Sequence, residues 1–155
     1  MSLLDADAPK PHLCFEQYPA KIWKGNSAIP RFTTKEEILV RTNLQEAARR
    51  PPNFAGHYRF ATWGRGTRCI SGAIIDLTTG KIYSPPLARK VSGEEHWIFC
   101  TDWDKEHGAE YRSNSRLMII HCGHHFGEYA ADIHFLVWER NHFKELLRIV
   151  GPKPN

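Results

Sequence analysis

No stretch of this 155-residue chain approaches the roughly 20 consecutive apolar residues that a membrane helix requires, so no membrane partner is expected. The opening, MSLLDADAPKPH, holds acids and prolines where a secretion signal would place a basic start and an apolar run, and the expected location is cytoplasmic. The cysteines, Cys14, Cys69, Cys100 and Cys122, form no Cys-x-x-Cys pair. Reduced, partly buried thiols are the expectation for a cytosolic chain, with a bond from Cys69 to Cys122 or Cys100 as the alternative. Excess charge is also scarce: 21 basic against 17 acidic residues leave +4, too little to argue for a nucleic-acid partner. Absent too are P-loop spacing, a His-Glu-x-x-His motif and a nucleophile elbow around Ser71 or Ser84.

What the chain does have is aromatic and β-branched material. Hydrophobic residues make up 41% and aromatics 12%, enough for one domain over residues 1–155 with a substantial core. The densest signal is Asn53 to Pro85, NFAGHYRFATWGRGTRCISGAIIDLTTGKIYSP. His57 to Trp63 alternates, with Tyr58, Phe60 and Thr62 on one side and Arg59, Ala61 and Trp63 on the other, which predicts a strand. Ile70 to Leu77 is small and apolar and reads as a buried strand. Asp76 to Gly80 supplies a turn in which Gly80 takes positive φ, so that Lys81-Ile82-Tyr83 folds back as a third strand until Pro85-Pro86 ends it. Gly64-Arg65-Gly66-Thr67-Arg68 sets guanidiniums on a glycine scaffold that suits a phosphate, a carboxylate or an acidic protein surface. A hairpin loop with solvated arginines is the plainer reading of the same residues.

The runs NFAGHY, WGRGTRC and GAIIDLTTGKIY resemble an uncharacterised bacterial family of small β-rich proteins. Its members often read Trp-Gly-Cys-Gly-Thr-x-Cys at the second run, and many carry a secretion signal. The similarity is strongest over Arg41 to Pro85, with a weaker echo in Ser115 to Val150. At Arg65 this chain departs from the family, which usually has a cysteine there. The resemblance implies a β-rich fold and no particular activity.

Elsewhere, residues 1–32 read as an extended arm, proline-rich, with a short strand at Lys21 to Lys24. Thr33-Thr34-Lys35-Glu36-Glu37 opens like a capping box, and Val40, Leu44, Ala47 and Ala48 give one apolar face, predicting a single helix over roughly Thr34 to Arg49 that Pro51-Pro52 stops. Arg49 and Arg50 suit the negative end of the helix dipole. Leu87 to Glu95 reads as a loop, His96 to Thr101 as a strand and Asp102 to Ser115 as irregular. Leu117 to Cys122, Asp132 to Glu139 and His142 to Val150 read as strands, the last two joined by a turn at Arg140-Asn141. The predicted fold is α+β: one N-terminal helix (33–50) packed on a mainly antiparallel, twisted sheet of about six strands (53–150).

Two constellations bear on function. His121, His124 and His125, with His134 one hairpin away, offer imidazoles for zinc. Asp102, Asp104 and His107 pair carboxylates with a histidine, although Lys105 favours both acids as solvated anions. Cys69 beside Arg68 has an electropositive neighbour but no histidine base. Arginine and aromatic residues interleave along the β segments, and these types dominate protein interfaces. The leading expectation is therefore a non-catalytic bacterial binding protein, concretely a cytosolic immunity or inhibitor protein that occludes a toxin or enzyme, with Arg65, Arg68, Arg59 and Trp103 at the contact. The alternative is a metal-dependent enzyme centred on His121, His124, His125 and His134.

Overall fold

The computed structural model describes residues 13–64, 70–91, 94–96, 98–100, 102–103, 108–123 and 132–150; at 36, 70, 89–91, 94–96, 98–100, 102–103 and 123 it describes the backbone alone. The alternating stretch at the start of the β region forms β1 (Tyr58–Gly64), antiparallel to β2 (Ile70–Asp76) with Phe60 opposite Ile74 and Ala61 opposite Ala73. Asp76 N donates to Lys81 O at 2.8 Å and Gly80 has φ +82°, so the expected turn forms and leads into β3 (Ile82–Tyr83). β4 (Arg89–Val91) pairs with β5 (Glu94–His96), and β6 (Ile98–Cys100) returns to β2, pairing at Ile70 and Ser71 along the edge that also carries β3.

The chain then builds a second sheet. β7 (Asp102–Trp103) and β8 (Ala109–Tyr111) pair in succession along one edge of β9 (Leu117–Gly123). The other edge of β9 carries β10 (Asp132–Glu139), which pairs with β11 (His142–Ile149). Arg140 and Asn141 both have positive φ, and Glu139 faces His142, so the two-residue hairpin falls where the sequence placed it.

The single six-stranded sheet is thus corrected to a four-stranded and a five-stranded antiparallel sheet, with β4–β5 as a separate pair. The reason lies in β2. Ile74 is fully buried on one face, and Ala73 and Ile75 are fully buried on the other. Each face needs a cover, and one helix supplies only one. Tyr58, Phe60 and Ile74 pack against Met118, Ile120, Leu136 and Trp138 of the second sheet. Trp138 sits edge-on to Tyr58 and Phe143 at 5.3 and 4.8 Å between centroids, in the arrangement ring quadrupoles favour. On the opposite face, Ala73, Ile75, Leu77 and Ile82 are covered by Leu44 and Ala48.

The helical segment is also two pieces. Thr34 caps α1 (Lys35–Leu39) with the predicted reciprocal box to Glu37, and α2 (Arg41–Ala48) follows a break at Val40, φ −112° and ψ 23°. β-Branched Ile38 and Val40 stand just before and at the break and are poor helix formers. Only after it do Leu44 and Ala48, four apart, face the sheet. The arm lies where expected over residues 13–32, but Lys21 to Lys24 forms no strand. Its backbone is pinned to turns instead: Trp23 N donates to Gly56 O (2.9 Å), Ala28 N to Leu77 O (2.8 Å) and Arg31 N to Gly80 O (2.8 Å). Leu87 to Glu95 and Asp102 to Ser115, read as irregular, contribute four of the strands (β4, β5, β7 and β8), each only two or three residues long.

Candidate functional site

The NFAGHY run has the look of a functional signature, yet each side chain in it is engaged by the fold. Asn53 brackets the peptide of Phe60, accepting from its N–H at 2.7 Å and donating to its carbonyl at 3.0 Å. Phe54 is fully buried between the sheets, and Ala55 and Gly56 turn the chain at positive φ. Gly56 N donates to Ser113 O at 2.7 Å, and a Cβ on Gly56 would stand 2.4 Å from Lys21 O. His57 Nδ1 lies 2.9 Å from Asp76 Oδ1, which also accepts from the amide and hydroxyl of Thr78. Burial pushes the Asp76 carboxyl up, but the Thr78 and His57 hydrogen bonds outweigh it and hold the group below its usual value. Tyr58 donates to Asn141 Oδ1 at 2.6 Å and so ties the two sheets together.

The histidine centre is not assembled as expected. His134 is in register with Ile120, and His121 with Ile133. Directly opposed residues share a face and neighbours along a strand do not, so His121 and His134 project from opposite faces of the second sheet. Each has its own carboxylate: His121 Nε2 is 2.8 Å from Glu110 Oε2, and His134 Nδ1 is 2.7 Å from Glu145 Oε1. Beside the latter pair Arg148 donates to the buried Asp132 at 2.7 Å. A zinc bound by both His121 and His134 is therefore corrected. His124 and His125 lie outside the described residues, and among the described residues no group of three or more potential ligands gathers.

Of the candidate contact residues, Arg65 and Arg68 lie outside the described residues, as do Cys69, Asp104, Lys105 and His107, and the side chain of Trp103 is not described. Arg59 is described and half-buried on the helix-facing side of β1, its Nη1 donating to Pro51 O at 3.1 Å. Burial lowers its proton affinity; Tyr111 opposes that shift and the nearby Arg50 charge adds to it. The reduced-thiol expectation is overturned at Cys122, which is disulfide-bonded, whereas Cys14 is free and exposed.

One cavity involves residues that the sequence reading did not single out as a site. A cleft of about 690 Å³ opens between the arm at residues 22–30 and the C-terminal end of α2. Pro51-Pro52 ends the helical segment after Arg49 and Arg50, and both exposed arginines line the cleft together with Lys24. Its lining contains these cations and no acid. The apolar contribution comes from Ile22, Trp23 and Ile29, the last 82% exposed. Gly25 lets the arm fold over Trp23, since a Cβ there would meet the indole at 2.3 Å. A basic cleft floored by aliphatic and indole surface suits an acidic chain carrying some apolar side chains. Comparisons with protein-family models, curated proteins and solved structures return no match to this chain.

Proposed function

We propose that this is a non-catalytic bacterial binding protein, most concretely an immunity-type inhibitor that neutralises a toxin or enzyme by covering an acidic surface. The observation that carries the reading is the charge of the cleft: Lys24, Arg49 and Arg50 converge on it with no carboxylate in its lining, next to the exposed Ile29. Arginine combines a bidentate donor fork with a stem that lies along apolar surface, and it is enriched among residues that dominate binding energy. The carbonyl end of α2 makes the rim a favourable place to keep these cations when no partner is bound. Among the described residues no helix is long and apolar enough to cross a membrane. The Cys122 disulfide favours an oxidising compartment, rather than the cytoplasm, as the place of action.

The test is a calorimetric titration with a deca-glutamate peptide as the acidic probe. Saturable binding is expected that weakens as salt is raised. Lys24→Ala, Arg49→Ala and Arg50→Ala together, all exposed positions, should cost about 2 kcal/mol or more of binding while leaving the melting temperature unchanged. Equal affinity in wild type and triple variant would remove the cleft from the reading.

A further inference from the structure

The helix-facing side of β1 follows a large–small–large pattern, Arg59, Ala61, Trp63. The outer two stand about 14 Å apart along the strand at ~3.4 Å per residue, and the methyl of Ala61 leaves the space between them open. That space is a second cavity of about 250 Å³, bordered by Asn43 and Ala47 of α2 and by Arg50 just beyond it. It is separate from the basic cleft, although Arg50 borders both.

Its chemistry is lopsided. Among the described residues, the buried side-chain polar atoms without a hydrogen-bond partner are Arg59 Nε, Trp63 Nε1, Ser71 Oγ and Trp138 Nε1. Three of these fall on this one face, because Ser71 is the cross-strand neighbour of Trp63. Guanidinium and indole nitrogens are donors only. The nearby Arg50 charge also disfavours the Arg59 cation, and neither forms an ion pair among the described residues; Glu46, at the exposed mouth, bonds neither. These donors and two like charges have no negatively charged acceptor bonded to them, and such an acceptor is what they suit.

We propose that this cavity is a binding site for a small oxyanion, a phosphate or carboxylate group, held by the Arg59 guanidinium and the Trp63 indole N–H and closed over by Arg50. The volume is ample for one such group with a few waters, at about 30 Å³ for each water. The proposal does not rest on the acidic-partner reading, and its residues other than Arg50 are not those of the cleft.

The experiment is a titration of ¹⁵N-labelled protein with inorganic phosphate, and separately with acetate, each at constant ionic strength against chloride. The Trp63 indole and Arg59 Nε–H resonances should move saturably with at least one of the two anions, and which one identifies the source chemistry. Trp63→Phe keeps the packing ring and deletes the donor, and should weaken binding about threefold; Arg59→Lys removes the fork and should weaken it about tenfold. Arg50→Gln, at an exposed position, should weaken it without affecting folding. Lys24→Ala with Arg49→Ala should leave it unchanged, so failure here is distinguishable from failure at the cleft. Absence of any saturable shift, identical shifts with chloride, or full affinity in both Trp63→Phe and Arg50→Gln would each overturn the site.

Discussion

Replacing Gly80 by alanine probes how the arm is held, because two separate costs meet at that one position. Gly80 has φ +82°, and a Cβ placed on it would stand 2.1 Å from Ile29 O and 3.0 Å from Ile29 C. Both neighbours are backbone, so no side-chain rotation relieves the clash. The left-handed conformation alone costs an L-residue about 1 kcal/mol or somewhat more. The arm must also lift, which endangers Arg31 N to Gly80 O and Ala28 N to Leu77 O, both 2.8 Å. At about 1 kcal/mol for each hydrogen bond, the total comes to roughly 3 kcal/mol. With a urea slope of about 2 kcal/mol/M for a domain of this size, the midpoint should fall by about 1.5 M. Gly64→Ala is the control: nothing lies within 4 Å of its added Cβ, and its φ is not positive. That variant should hold the wild-type midpoint or exceed it slightly. If Gly80→Ala shifts the midpoint no more than Gly64→Ala does, the arm is not anchored as described.

Other consequences follow from single contacts. Asp76 is held below its usual value of 3.8, so its contribution to stability is complete above that pH and is lost as pH falls through the lower folded value; Asp76→Asn should flatten the acid limb of the urea midpoint against pH, and an unchanged limb would contradict the assignment. Tyr58→Phe deletes the 2.6 Å bond to Asn141 and should cost about 1 kcal/mol by urea denaturation; no loss would show the bond to be replaceable by water. Since His121 and His134 face opposite ways, any zinc-dependent rise in melting temperature should vanish in at most one of His121→Ala and His134→Ala, and loss in both would restore a shared centre. Alkylation of the native, unreduced protein should label Cys14 and spare Cys122, and labelling of Cys122 would deny its disulfide.

What the sequence made legible was whatever repeats along a strand with two different faces. In β1 and β10 each side packs against something distinct, so composition alternates and the bounds come out within a residue. β4, β5, β7 and β8 span two or three residues, less than the length over which a period is visible, and their charged or polar residues imitate loops. The division into two sheets is written in no local pattern; it follows from β2 being buried on both faces. NFAGHY misleads in the other direction, because its unusual residues answer backbone demands: Asn53 for a strand end, Gly56 for the close approach of Lys21. The cleft lies between residues 22–30 and the end of α2, and the arm is held there by hydrogen bonds to Gly56 and Leu77 that only the fold creates. Arg49 and Arg50 were visible in sequence, but as helix-dipole partners. Arg59 was visible as an arginine among aromatics, and its burial between α2 and β1 was not.

The most direct test of the recognition face is an amide chemical-shift map of ¹⁵N-labelled protein titrated with deca-glutamate. The account predicts that perturbations concentrate in residues 22–30 and 45–50, the two walls of the cleft, and disappear when Lys24, Arg49 and Arg50 are replaced by alanine. Perturbations confined to the second sheet, or an unperturbed spectrum at saturating peptide, would contradict it.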